Sequence, residues 1–77
     1  MTHQEIWDAI VKLAKKNKLS CSGLARMAGL DPTTFNKSKR INRDGSPHWP
    51  STYSIARILD ATGIKLIDFA RLMSEQA

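Results

Sequence analysis

Cysteine occurs once, at Cys21, in a chain of 77 residues. A lone thiol forms no internal disulfide and no cysteine-rich metal site. Histidine occurs twice, at His3 and His48, far apart and without carboxylates at ligand spacing, so no metal site is expected. Long apolar runs are missing too: none approaches the roughly 20 residues that span a bilayer. The opening stretch MTHQEIWDAIVK mixes polar and apolar residues, carries two acids and does not read as a signal peptide. No segment alternates apolar and polar β-branched residues, so strands are not expected. Serines fall at caps and turns and lysines on exposed faces, which leaves no nucleophile–base pair. No catalytic residue and no cofactor is expected, and the default is a soluble cytoplasmic domain.

What is present is basic. Lys and Arg number 12 against 7 Asp and Glu, a formal charge of +5. That excess favours a polyanionic partner; a solvated basic surface is the plainer alternative. Hydrophobic residues at 42% and charged residues at 25% describe one small globular domain.

The punctuation parses into five helices and an all-α fold. The first runs over about 3–17, opened by the capping-box spacing Thr2-His3-Gln4-Glu5, with Ile6, Ile10 and Leu13 at helical spacing. Lys12, Lys15, Lys16 and Lys18 gather late in it, where they either complement the helix dipole or face a polyanion. The second covers about 21–28, capped by Ser20 and stopped by Gly29. The third starts at Asp31-Pro32 and continues through Arg40. A long polar loop, 42–50, follows, and loops of that length are often functional. The fourth helix, about 52–61, is capped by Ser51 and ended by Gly63. The fifth, about 66–74, buries Leu66, Phe69, Ala70 and Met73, with Lys65 at its cap position.

Residues 21–40 have the helix-turn-helix plan, two short helices joined by Gly29-Leu30-Asp31. Ala25 is small where such helices touch, and Gly29 tolerates positive φ. Leu24, Leu30 and Phe35 point inward. From Pro32 through Arg43 there are four basic residues and no acid. Trp7 and Trp49 read as packing residues, with Trp49-Pro50 pinning the loop before the fourth helix. His48 reads as solvent-exposed, with phosphate contact the alternative. Cys21 lies at a helix start, which can lower a thiol's pKa, but it has no second cysteine to resolve an oxidised form.

The run Leu24-Ala25-Arg26-Met27-Ala28-Gly29-Leu30-Asp31-Pro32-Thr33-Thr34-Phe35 resembles the DNA-binding domain of phage-repressor (Cro/Xre-type) transcriptional regulators. The five-helix parse matches that lambda-repressor-like fold over nearly the whole chain. WPSTYSIARIL, then ATGI, is similar to the family's fourth helix and its closing turn. GLDPTTFNKSKR followed by WPS resembles the N-terminal half of repressors that carry a C-terminal self-cleaving serine peptidase domain. That likeness implies that these residues are the DNA-binding fragment of a longer protein. Two positions depart from the pattern. Ser38 stands where an aliphatic residue is usual, with Ile41 the candidate to fill the space. Basic Lys39 and Arg40 replace a frequent acid.

The resemblance implies a double-stranded DNA partner, with the third helix in the major groove. Carried over by position, Pro32, Thr33, Asn36 and Lys37 face the bases. Thr33 can donate, accept or press its methyl on thymine, Asn36 can bond adenine, and Lys37 can donate to guanine. Asn36 is equally suited to phosphate. Phosphate contacts fall to Cys21 and Ser22 at the start of the second helix and to Lys39, Arg40 and Arg43. The family's habit implies a homodimer on two half-sites, in which Ile67 and Leu72 could make the contact. The competing reading is a protein-interaction module on the same scaffold, since fold does not dictate function.

Overall fold

Hydroxyl caps start three of the helices, at the residues the sequence nominates. The computed structural model describes residues 1–74. Its elements are α1 (His3–Lys16), α2 (Cys21–Met27), a 3-10 helix (Lys37–Arg40), α3 (Thr52–Thr62) and α4 (Leu66–Ser74). Thr2 Oγ1 accepts the Glu5 N–H at 3.1 Å, and Glu5 Oε1 accepts the Thr2 N–H at 2.7 Å. The Thr2 N–H, then the Thr2 hydroxyl, holds the Glu5 carboxyl below its ordinary pKa. Ser20 and Ser51 cap α2 and α3 in the same way, each accepting a backbone N–H at 3.0 Å. A hydroxyl cap of this kind contributes about 1 kcal/mol.

The two C-termini that flank the α1–α2–turn corner are closed alike. The Leu19 N–H reaches back to the Ala14 carbonyl at 2.9 Å, and the Leu30 N–H to the Ala25 carbonyl at 2.9 Å. Each closure requires one residue at positive φ. After α2 it is Gly29 at φ 74; after α1 it is Lys18 at φ 58. A side chain in that region costs about 1–2 kcal/mol relative to glycine. Lys18→Gly is therefore expected to stabilise the domain by about 1 kcal/mol after the extra entropy of an unfolded glycine is subtracted. Urea unfolding checks this, and a loss of stability would show that the Lys18 side chain makes a compensating contact.

α1 packs against α4 and α2, and α2 packs against α3. The core is Trp7, Ile10 and Leu13 of α1, Leu24 and Ala25 of α2, Phe35, Ile58 of α3, and Phe69 and Leu72 of α4. Lys12 donates to the Leu72 carbonyl at 3.0 Å, a cation at the negative end of α4.

The described residues hold four α-helices and no strand, only an isolated antiparallel bridge between Ile41 and Pro47. Helix boundaries agree with the sequence reading to within one residue except over 31–40. There the expected continuous helix is replaced by a turn over 32–35 and the 3-10 helix, separated by Asn36 in extended backbone (φ −63, ψ 150). The cause is local. The Asp31 carboxylate takes the Thr33 N–H at 2.8 Å and its hydroxyl at 2.6 Å, and the Thr34 hydroxyl donates to the Asp31 carbonyl at 2.6 Å. Side chains that bond nearby backbone in this way compete with the helical ladder, and β-branched threonines add little to resist them. The backbone bonds that remain, Thr34 N–H to Asp31, Asn36 N–H to Thr33 and Lys39 N–H to Asn36, all span three residues.

Two packing expectations change as well. α4 buries Phe69 and Leu72, while Leu66 is 65% exposed and Ala70 is exposed, so its inward stripe is rotated from the one expected. Leu72 is thus a core residue and is not offered to a partner. Ile41 is 53% exposed and does not fill the space beside Ser38. The guanidinium of Arg40 instead lies over the Trp7 ring, 5.4 Å from its centre. No helix among the described residues is long and apolar enough to cross a membrane.

Candidate nucleic-acid interface

Within the basic segment 31–43, the turn 32–36 is tied to the body by one buried side chain. Phe35 is fully buried and meets Trp7 edge-on with ring centres 6.4 Å apart. Around it, Asp31, Pro32, Thr33, Asn36, Lys37, Ser38 and Lys39 are all exposed. The hydrophobic anchor therefore turns the polar side chains of its neighbours outward, which is the arrangement a surface-reading segment needs.

Each expected site residue can be placed. Pro32 and Thr33 occupy the turn that follows Asp31. The Thr33 hydroxyl proton is committed to Asp31, so toward a ligand Thr33 offers oxygen lone pairs and its methyl. Asn36 sits at the junction between the turn and the 3-10 helix, and its amide makes no cap bond there. Lys37 opens the 3-10 helix and Lys39 lies on it. Arg43 is exposed at the tip of the 41–47 arm. Arg40 differs: it is half-buried over Trp7, and its Nε is buried without a hydrogen-bond partner. Cys21 and Ser22, both half-buried, lie in the first turn of α2, at the end remote from Gly29.

The acids beside this segment are occupied. The Thr33 hydroxyl, then its N–H, holds the Asp31 carboxyl below the ordinary aspartate range. The Ser46 hydroxyl and N–H do the same for Asp44, at 2.6 and 3.0 Å. In each acid Oδ1 is turned onto local donors, and both carboxylates stay ionised beside the neighbouring lysines and arginine.

Sequence reasoning did not anticipate what fixes the 41–47 arm. His3 Nε2 lies 2.9 Å from both the Arg40 and His48 carbonyls. Protonated at Nε2, His3 donates to these carbonyls; in the other tautomer the same nitrogen accepts from Trp7 Nε1, 3.1 Å away. Trp7 Nε1 donates to the same His48 carbonyl at 3.0 Å. His48 N–H closes onto the Arg40 carbonyl at 2.8 Å, and Asn42 N–H onto Ser46 at 2.8 Å. The base of the arm is thus pinned to the first turns of α1. The only sequence signal was that His3 and Trp7 stand four apart, on one face of a helix.

Two further features frame the segment. Arg57 of α3 donates from Nε to the Ala28 carbonyl at 2.9 Å, and a Cβ at position 29 would lie 2.8 Å from its Nη2. Arg57 thus bridges α3 to the glycine turn. On another face, α1, α3 and α4 leave an apolar groove of about 480 Å³ lined by Ile6, Trp49, Ile55, Leu59, Leu66 and Met73 among others. Trp49, half-exposed, stands edge-on to His3 with ring centres 5.6 Å apart, which anchors the loop before α3. Compared with family models, with curated proteins and with solved structures, the chain matches none.

Proposed function

We propose that this domain binds double-stranded DNA sequence-specifically as a transcriptional regulator, with the segment 31–43 as its reading surface. The observation that carries the reading is the outward display of Thr33, Asn36, Lys37, Lys39 and Arg43 around the single buried anchor Phe35. The chain's charge of +5 supports it, as does the sequence resemblance to phage-repressor (Cro/Xre-type) domains. The reading element differs from the helical rod of that family. It is a tight turn followed by a slim 3-10 helix, and a major groove about 12 Å wide admits such an element.

In this reading Pro32, Thr33, Asn36 and Lys37 meet base edges, with Thr33 as acceptor and methyl contact and Lys37 as donor to guanine. Lys39 and Arg43 contact phosphates, Arg40 adds its charge from its place over Trp7, and the first turn of α2 at Cys21 and Ser22 supplies backbone contacts. The domain acts as a repressor and works in pairs on two half-sites, with exposed Ile67 of α4 at the contact between copies.

Selection of bound duplexes from a random pool tests this. A defined motif is expected to be enriched. Lys37→Ala is expected to change the preferred base at one or two positions, since each good base contact discriminates by about 1–3 kcal/mol. Arg43→Ala is expected to weaken all duplexes alike and leave the motif unchanged. If Lys37→Ala returned the original motif, the assignment of the reading surface would be wrong. The protein-interaction alternative is favoured by one feature, the apolar groove between α1, α3 and α4.

A further inference from the structure

The 3-10 helix and the 41–47 arm enclose a concavity of about 460 Å³, lined by Ser38, Lys39, Ile41, Asn42, Arg43 and His48. Five of those six side chains carry hydrogen-bonding groups, two of them permanently cationic at neutral pH, and no carboxylate is among them. Asp44 and Asp31 lie outside the lining, with Oδ1 held by Ser46 and Thr33 respectively. Lys39 bears on Asp31 closely enough to help lower its carboxyl pKa, so the two are neighbours, but the Asp31 Oδ1 is turned to Thr33. A concave site lined by ammonium, guanidinium, imidazole and hydroxyl groups matches a tetrahedral oxyanion, whose several oxygens can accept from several donors at once.

The walls of this cleft are held in place. Residues 40 and 48 form the base of the arm, where His3 Nε2 lies 2.9 Å from both carbonyls and Trp7 Nε1 donates to the His48 carbonyl at 3.0 Å. The antiparallel bridge between Ile41 and Pro47 narrows the arm, and the Asn42 amide donates to Ser46 Oγ at 3.0 Å. Such pinning lowers the ordering cost of gathering charged side chains around one ligand.

We propose that this cleft is a phosphate-binding site, and that the phosphate it takes is one phosphodiester of the duplex backbone. Lys39 and Arg43 supply charge, Ser38 and His48 supply directed contacts, Asn42 braces the arm through Ser46 and Pro47, and His3 is a positioning residue that holds the arm against α1. The inference rests on the DNA-binding reading for the source of the phosphate, and on the cleft alone for its chemistry.

The test has two arms. In the first, inorganic phosphate is titrated into the protein and backbone amide shifts are followed. Saturable shifts at residues 38–43 and 48 are expected, and shifts absent there or spread evenly over all lysines would overturn the site. In the second, duplex affinity is measured by fluorescence anisotropy for the parent, His3→Ala and His3→Gln. Loss of one phosphate contact weakens binding about fivefold near 0.15 M salt. His3→Ala is expected to show that loss, and His3→Gln to recover affinity, because its amide can donate to the same carbonyls. Equal affinity for all three would overturn the positioning role while leaving the DNA reading intact. Phosphate shifts in the cleft without any duplex binding would overturn the backbone as source and leave a site for a free phosphoanion.

Discussion

Phe35→Ala is expected to destabilise the domain by about 3–5 kcal/mol, the usual cost of emptying a buried phenylalanine site. The total stability of a chain of 77 residues is roughly 4–12 kcal/mol, so this one side chain accounts for a large share. The reason is its isolation. Every backbone hydrogen bond made by residues 32–36 stays within the segment, spanning three residues. Phe35 is the segment's only fully buried residue, and it lies against Trp7 in the centre of the core. Truncation would both open a cavity beside Trp7 and release the reading surface. Thermal melting should fall by well over 10 °C, at about 4–8 °C per kcal/mol for a domain of this size. Phe35→Leu should cost much less, because it keeps most of the apolar volume. A loss below about 1 kcal/mol for Phe35→Ala would mean that the segment is held by something other than this anchor.

Caps and stops were the legible part of the fold. Thr2 with Glu5, Ser20, Ser51, Gly29 and Gly63 all act where their residue types and spacing suggest, because each works on its own few neighbours. The inward roles of Leu24, Ala25 and Phe35 were legible for the same reason. The segment after Asp31 was not. Asp31-Pro32 is a good helix start by type, yet the same carboxylate and the two threonines that follow can also close tight turns, and that competition decides the outcome. The rotation of α4, which sends Leu72 inward and Leu66 outward, depends on how the helix lies against α1, and helical periodicity alone leaves neighbouring faces nearly equivalent. The clamp by His3 and Trp7 was invisible because its partners are backbone carbonyls at residues 40 and 48, which carry no residue-type signature.

The electrostatic consequence of the proposed interface is large and quantitative. If Lys39, Arg40 and Arg43 each neutralise one phosphate, three counterions leave the duplex for every protomer bound. The logarithm of the affinity then falls with the logarithm of salt at a slope of about −2.7, and about twice that for a pair of copies on two half-sites. Raising salt from about 50 to about 200 mM should weaken one protomer's binding about 40-fold. Base contacts contribute nothing to this slope, so Lys37→Ala should change preference more than salt response. Lys39→Gln and Arg43→Gln, which keep side-chain length and polarity, should each make the slope shallower by about 0.9.

A duplex titration repeated across salt concentrations, for the parent chain and the Lys39→Gln/Arg43→Gln double variant, therefore weighs the account most directly. The expected result is steep salt dependence in the parent, with the slope reduced by about 1.8 in the double variant. Binding that ignores salt, or a slope untouched by the double variant, would show that the surface built around Phe35 is not what grips DNA.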